Sequence, residues 1–249
     1  MATWHAMSVG GYSRDTQEAH DNAVMIASIL MSKGWSLQSI CGVLGNIQGE
    51  GAMNPWRWDS NIYFPTEQQA LQDQAVYGLF NYTPFMGYRN LGNAYPGFGI
   101  NYNDGNDNNT GSILDGQAQI LFMHDDIFEV IQTPYTWSQD EGHYNEYAPY
   151  FAQDGISIDF IYGKNGYTAI TKQEFIEGVG YTPEEMALVF ELCYERPADY
   201  AAAGGYYQFR AETARYYYDY LSTVPIPPFV LESKTKWIYW LKPRWKRWL

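Results

Sequence analysis

Two amphipathic helical patterns that follow each other directly constrain the fold more than any other feature of this chain. From Thr16 to Lys33 apolar residues recur every three or four positions, with Asp15 placed to cap the helix and Gly34 to end it. Ser36 then caps a second pattern, which continues through Gln48 and ends at Gly49. Adjacent helices with apolar faces bury those faces together, so the pattern predicts a helical core.

Further helical patterns follow along the chain. They cover Ile113 to Ile131 and Tyr206 to Leu221, and capping-box patterns start two more helices at Thr171 and Thr182. Helices therefore outnumber plausible strands, and we expect a mainly α fold within the α+β class.

Two regions between these patterns do not predict helices. Residues 90–111 are dense in Gly and Asn, which favour turns over long helices or strands. Residues 133–170 are rich in Tyr, Gly and Asp, and a small hairpin is predicted within them, at 156–161 and 167–170. We expect both regions to be insertions into the helical domain.

Charge is distributed unevenly along the chain. The 249 residues carry 28 acidic and 15 basic side chains, a net charge of -13. Residues 233–249 contain six Lys and Arg and no acid, which leaves a net charge of -19 on the rest. Binding to nucleic acid requires clustered positive charge, so an acidic body argues against nucleic acid as a partner.

The same division predicts the domain organisation. Val224 to Pro228 (VPIPP) has the composition of a stiff linker. We therefore expect a folded domain over residues 1–221, followed over residues 222–249 by this linker and a cationic, aromatic C-terminal extension.

Several classes of function lack their sequence motifs. No GxSxG, HExxH, Walker or GxGxxG pattern occurs in a suitable context, which argues against serine hydrolases, metalloproteases and nucleotide-binding enzymes. Cys41 and Cys193 lie in apolar helical patterns and are expected to be buried thiols, and no metal or cofactor is predicted. Neither a leader peptide nor a membrane-spanning apolar run is recognisable, so we expect a product that is soluble when made.

Glu50 is the acid with the most distinctive setting. It directly follows the second helix, is flanked by two glycines, and precedes Asn54, Trp56 and Trp58. The negative end of a helix dipole and neighbouring indole rings both favour the protonated form of a carboxyl group. A general acid must be protonated near neutral pH, although an ordinary loop acid with no chemical role fits the same residues.

Three segments of this chain resemble, in the same order, the phage tail lysozyme family. Asn22 to Trp58 (NAVMIASILMSKGWSLQSICGVLGNIQGEGAMNPWRW) resembles its opening, in which a helix ending in G-N-I/M-x-x-E leads to an N-P turn. Tyr77 to Pro84 (YGLFNYTP) resembles its G-L-x-Q-W-T-P segment, and Thr182 to Pro197 (TPEEMALVFELCYERP) resembles its closing helix. Three ordered matches make the resemblance specific, and the first match is the strongest.

The resemblance implies a lysozyme-like helical domain on a phage tail that cleaves the glycan strands of bacterial peptidoglycan during infection. Glu50 matches the family's catalytic glutamate, which would protonate the glycosidic oxygen between N-acetylmuramic acid and N-acetylglucosamine. The implied partners are peptidoglycan and other phage tail proteins, and the implied location is the virion, after synthesis in the host cytoplasm. The residues expected to bind sugar by stacking or hydrogen bonding are Asn54, Trp56, Trp58, Tyr77, Leu79, Asn81, Tyr82 and Thr83.

This chain departs from the family pattern at two places. It has Gly51 where the family usually has Ser, and Asn81-Tyr82 where the family usually has Gln-Trp. The first change removes a hydrogen-bonding group beside the acid, and the second shortens a polar side chain and reduces an aromatic surface. We expect the fit to substrate to differ while the acid is retained.

The sequence leaves the second carboxylate open. An inverting hydrolase needs a base about 6.5–9.5 Å from the acid, and a retaining one needs a nucleophile about 5–5.5 Å away. Asp59, Glu67 and Asp73 follow Glu50, and Asp59 ranks first because it is nearest in sequence. Alternatively, a hydroxyl group of the substrate attacks internally and leaves an anhydro product, which would make the protein a lytic transglycosylase.

The C-terminal extension has three interpretations. Its aromatic and basic residues (KTKWIYWLKPRWKRWL) suit contact with a membrane or an anionic wall polymer, docking on another tail protein, or folding back on the acidic body.

The alternative to an enzyme is a non-catalytic tail component that keeps the fold in order to bind glycan or to assemble.

Overall fold

The computed structural model describes residues 4–7, 13–57, 76–81, 113–129, 172–191, 194 and 206–230. Within these ranges the chain forms helices and no β-sheet, which confirms the mainly α fold class. The predicted hairpin and both predicted insertions lie outside the described residues. The helices are α1 (Gln17–Met31), α2 (Leu37–Glu50), α3 (Ile113–Glu129), α4 (Lys172–Glu177), α5 (Pro183–Phe190) and α6 (Tyr206–Leu221).

The helix ends follow local capping chemistry. Ser36 caps α2 as predicted, and Thr182 and Glu185 form the predicted capping box at α5. The N-cap of α1 is Thr16 and not Asp15, because the Thr16 hydroxyl accepts a hydrogen bond from the amide of Ala19. A capping prediction from sequence can thus be displaced by one residue when two capping residue types are adjacent.

The C-terminal end of α2 differs from the prediction in a way that matters for the site. The sequence predicts an end at Gly49, whereas α2 continues through Glu50. The amide of Gly51 still donates to the carbonyl of Ile47, at 2.9 Å, so the last turn is closed. Glu50 is therefore part of the helix and is fixed by its backbone hydrogen bonds.

Helix α2 is the centre of the core. Every residue from Ser39 to Gly49 is buried, and the helix packs mainly against α5 and α6. A helix that is buried on all sides belongs in the interior of a domain, and its ends then determine where side chains reach the surface. Cys41 lies in this helix as a free buried thiol, as predicted, whereas Cys193 is outside the described residues.

Two glycines on α2 allow its neighbours to approach closely. A Cβ atom on Gly42 would lie 2.6 Å from Met186 of α5, and one on Gly45 would lie 2.3 Å from the carbonyl oxygen of Arg210 on α6. Real Cβ atoms do not make such contacts. The two glycines therefore allow α5 and α6 to pack directly on the backbone of α2.

The segment after α6 remains on the body of the protein. The Ser28 hydroxyl donates to the carbonyl of Pro227, at 2.7 Å, and Val224, Ile226 and Phe229 pack against the core. The stretch interpreted as a linker is therefore bonded to α1 at Pro227 and packed against the core as far as Phe229. The predicted C-terminal extension from 231 onward lies outside the described residues. In the described part of the chain, none of the helices has the length and hydropathy to cross a bilayer.

Candidate active site

Glu50 lies at the point where the buried helix α2 reaches the surface. The residues before it are buried, but 20% of the Glu50 side chain is exposed. The chain then turns through Ala52 and Met53, both with positive φ, and the Asn22 side chain fixes this turn by donating to the carbonyl of Met53, at 2.8 Å. A carboxyl group that is both anchored and accessible can contact a ligand in a fixed direction.

Asn81 is the first partner of this carboxylate. Its side-chain amide nitrogen lies 2.7 Å from Oε2 of Glu50 and 3.2 Å from the Glu50 backbone carbonyl, and donates to both. Asn81 has a φ of 47°, a left-handed conformation that Asn tolerates better than most residues. Asn81 therefore lies next to Glu50, and its contact with substrate stays a prediction.

The approach of residues 76–81 to Glu50 depends on Gly51. A Cβ atom on Gly51 would lie 2.4 Å from the carbonyl oxygen of Gly78 and 2.8 Å from the Cα of Leu79. The glycine that replaces the family's usual Ser therefore lets this segment pack directly against the end of α2. The Gln119 side chain also fixes the segment. Its oxygen accepts a hydrogen bond from the amide of Leu79, and its nitrogen donates one to the carbonyl of Pro55, both at 2.7 Å.

Arg210 is the second partner of the Glu50 carboxylate. It is located on α6, its side chain is 3% exposed, and one terminal nitrogen forms an ion pair with Oε1 of Glu50. Its other terminal nitrogen donates to the Asn46 side-chain oxygen, at 2.6 Å. Asn46 precedes Glu50 by one helical turn and is itself held by the carbonyls of Gly42 and Ala187. The guanidinium group is thus fixed on both sides.

Glu191 is a second carboxylate on the same guanidinium group. Its Oε1 lies 3.3 Å from Nε of Arg210, and its side chain is 1% exposed. Burial raises the pKa of Glu191 to about 7; Arg210 lowers it, and the negative charge of Glu50 raises it further. Within the described part of the chain, Oε2 of Glu191 is buried without a hydrogen-bond partner, which adds to the cost of ionising it.

Several residues that were expected to bind sugar lie in the core. Asn54 is 1% exposed, and its side-chain oxygen accepts from the amide of Trp56. Trp56 is 6% exposed, and its indole nitrogen donates to Asp115, at 2.9 Å. Tyr77 and Leu79 are fully buried. These side chains are covered by protein, so their observed contacts support the backbone around Glu50.

Other predicted site residues fall outside the described residues. These are Trp58, Asp59, Tyr82 and Thr83, together with the alternative acids Glu67 and Asp73. Their roles stay predictions. Among the described residues, no group of three or more His, Cys, Asp or Glu side chains is placed to hold a metal ion.

Three residues of this site were not predicted from the sequence: Arg210, and the two residues Asn46 and Glu191 that contact it. Asn46 had a usable signal, because a residue four positions before Glu50 on a helix lies on the same face. Glu191 also had one, as an acid within the apolar run MALVFELC. Arg210 had none, since its contact with Glu50 joins residues 160 positions apart.

Comparison with known proteins identifies a family whose match covers the candidate site. The family model for phage tail lysozyme matches residues 21–221, from α1 to the end of α6, and so includes Glu50, Asn81, Glu191 and Arg210. A segment of 69 residues, 28% of this chain, is 35% identical to Morphogenesis protein 1 of Bacillus phage B103 and spans 17% of that protein's length. Because the family match covers most of the chain and confirms the resemblance found in the sequence, this protein belongs to the phage tail lysozyme family.

Proposed function

We propose that this protein is a phage tail-associated lysozyme that cleaves the β-1,4 glycan backbone of bacterial peptidoglycan, with Glu50 as the general acid. The observation that supports this most directly is the position of Glu50, accessible at the end of a buried helix and held by Asn81 and Arg210. Family membership supports a glycosidase of the lysozyme type. We further propose that the protein acts from the virion, in contact with other tail proteins.

In the proposed reaction, the carboxyl group of Glu50 donates its proton to the glycosidic oxygen as the bond to the anomeric carbon breaks. Water adds to that carbon, and the proton it releases restores the acid. The two hydrogen-bonded oxygens of Glu50 restrict its rotation, so the proton is delivered in one direction. Fixed geometry of this kind lowers the entropic part of the barrier.

The second carboxylate of a hydrolase must reach the anomeric carbon or the attacking water. Glu191 does not meet this requirement, because it is buried behind Arg210. Asp59 remains our proposed partner, on the basis of its position in the sequence.

The proposed sugar-binding residues divide into two groups. Asn81, Trp58, Tyr82 and Thr83 are proposed to contact substrate, since Asn81 is next to the acid and the other three lie within two positions of a described segment in the sequence. The buried group is proposed to support the site by packing and hydrogen bonds; it consists of Asn54, Trp56, Tyr77 and Leu79.

Substitution of the acid tests the proposal. Glu50→Gln keeps the size of the side chain but removes the transferable proton, and it should reduce the release of reducing ends from purified peptidoglycan at least about 100-fold. The control is Glu18→Gln, which changes an exposed acid on α1. Equal activity of Glu50→Gln and wild type would refute the role of Glu50. An inactive wild type that still binds glycan would favour a non-catalytic tail component.

A lytic transglycosylase is the second candidate. The burial of Glu191 favours this reaction. Among the described residues, Glu191 is the second carboxylate that pairs with Arg210, and substrate cannot reach it. The products of a transglycosylase end in anhydromuramic acid, whereas hydrolysis leaves free reducing ends. Mass spectrometry of the products distinguishes the two reactions.

A further inference from the structure

Two segments of the chain meet at the carboxyl group of Glu50. The first is the turn over residues 51–57, which directly follows Glu50, and the second is the segment over residues 76–81, which ends at Asn81. The two segments are separated in sequence, so contacts must fix their relative position. That position decides whether the Asn81 amide reaches the carboxylate, which it does at 2.7 Å.

Gln119 on α3 makes hydrogen bonds to both segments. Its side-chain oxygen accepts from the amide of Leu79, and its nitrogen donates to the carbonyl of Pro55, each at 2.7 Å. Gln119 is fully buried, and both hydrogen bonds lie in the interior. A buried backbone group that loses its partner is costly, so the two segments are held where the Gln119 amide can reach both of them.

Close backbone packing makes this link stiff. The amide of Gly78 donates to the carbonyl of Arg57, at 2.8 Å, which joins the two segments directly. Gly78 has a φ of 85°, and a Cβ atom on it would overlap the side-chain oxygen of Gln119. A Cβ atom on Gly51 would overlap the carbonyl oxygen of Gly78 in turn. Close-packed interiors transmit strain, so a displacement at Gln119 should reach Asn81 along the segment.

We propose that Gln119 is a positioning residue for the reaction, which acts on Glu50 through Asn81. It fixes the amide of Leu79, two positions before Asn81, and thereby sets the place from which the Asn81 side chain donates to the acid. This inference rests on the proposed function, in which Glu50 is the acid. Because Gln119 is fully buried, it acts without contacting substrate.

A double-mutant cycle with Asn81 tests this route. Gln119→Met keeps the length of the side chain but removes both hydrogen bonds, and it should lower kcat on purified peptidoglycan roughly 10-fold. In the Asn81→Gly background the same substitution should lower kcat by less than about 2-fold, because the amide through which Gln119 acts is already gone. Equal losses in the two backgrounds, which a purely structural role would give, would refute the proposal.

Gln117→Met is the matched control, since it makes the same substitution at a half-buried position on the same helix. It should leave kcat within about 2-fold of the parent protein in both backgrounds. If Gln119→Met does not fold, Gln119→Asn carries the same cycle, because its side chain is one methylene too short to make both hydrogen bonds. All variants are assayed well below their melting temperatures.

A second measurement reads the geometry without catalysis. Asparagine labelled with ¹⁵N in the side chain reports the hydrogen bonding of the Asn81 amide by NMR, with Asn81→Gly used for assignment. Substitution of Gln119 should move this resonance toward that of a solvent-exposed asparagine, whereas Gln117→Met should leave it in place. An unmoved resonance in a folded Gln119 variant would overturn the proposal. Because this readout needs no turnover, it stays informative even if Glu50→Gln shows that Glu50 is not the acid.

Discussion

At the scale of single residues, the site is defined by what holds the Glu50 carboxylate. The sequence indicated a carboxyl group at a helix end beside indole rings. The structure adds an amide on one oxygen and a guanidinium group on the other. These partners fix the direction of the acid.

Asn81 provides a direct test of this positioning. Asn81→Gly removes the amide but keeps the backbone free to adopt the positive φ. A hydrogen bond to a charged group contributes about 1.5–3 kcal/mol, so we expect kcat to fall about 10–100-fold. The melting temperature should change little, because Asn81 is only partly buried. Steady-state kinetics on purified peptidoglycan check this, and an unchanged kcat would show that Asn81 does not position the acid.

Two buried titrating groups predict opposite pH effects on stability. Burial raises the pKa of Glu191 from 4.5 to about 7. The protonated carboxyl group therefore contributes fully to the free energy of unfolding below pH 4.5, and this contribution is lost as the pH rises through 7. His124 accepts a hydrogen bond from the Trp35 indole, and burial lowers its pKa from 6.5 to about 4. Neutral His124 therefore contributes fully to the free energy of unfolding above pH 6.5, and this contribution is lost as the pH falls through 4.

Denaturant unfolding at several pH values separates these effects. Relative to wild type, Glu191→Gln should become more stable by up to about 3 kcal/mol as the pH rises from 4.5 to 7. His124→Gln keeps an acceptor for Trp35 but does not titrate, so it should gain relative stability as the pH falls from 6.5 to 4. A stability difference from wild type that is constant with pH would contradict the argument for that residue.

At the scale of elements, sequence predicted the helices well because their signals are local. Caps, apolar stripes and stop residues lie within one helix, and the six described helices correspond to predicted ones. The ion-pair network was not predictable in the same way. Arg210 reaches Glu50 because α6 packs on α2 at Gly45, and this register is set by tertiary packing.

Substitution of Gly45 tests whether that packing positions Arg210. Gly45→Ala places a methyl group 2.3 Å from the carbonyl oxygen of Arg210, so α6 must shift. Overpacking of this kind typically costs about 1–3 kcal/mol, and we expect kcat to fall at temperatures where the variant is still folded. The control is Gln38→Ala, at a half-buried position on α2, which should change stability by less than about 0.5 kcal/mol. Full activity in a folded Gly45→Ala protein would show that the packing of α6 on α2 at Gly45 does not position Arg210 for activity.

At the scale of the whole molecule, charge suggests two functions in one chain. The acidic body contains the candidate site, whereas six basic residues are concentrated in residues 233–249. Anionic wall polymers would repel the body, so we propose that the C-terminal extension contributes to attachment.

Deletion of residues 231–249 tests this division. The deletion leaves Pro227 and Phe229 in place, and both contact the body. We expect the shortened protein to cleave small soluble glycan fragments at the wild-type rate but to bind less to intact walls at low salt. Co-sedimentation with walls and a soluble-substrate assay measure the two properties. Loss of cleavage with unchanged attachment would contradict the division.

Mass spectrometry of peptidoglycan products from wild type and Glu50→Gln tests the central claim most directly. It identifies the cleaved bond, the chemistry of the new ends and the dependence on Glu50 in one experiment. We predict that wild type produces muropeptides with new hydrolysed ends at the β-1,4 glycan linkage, and that Glu50→Gln produces almost none. The same products from both proteins, or no glycan cleavage by wild type, would contradict the account.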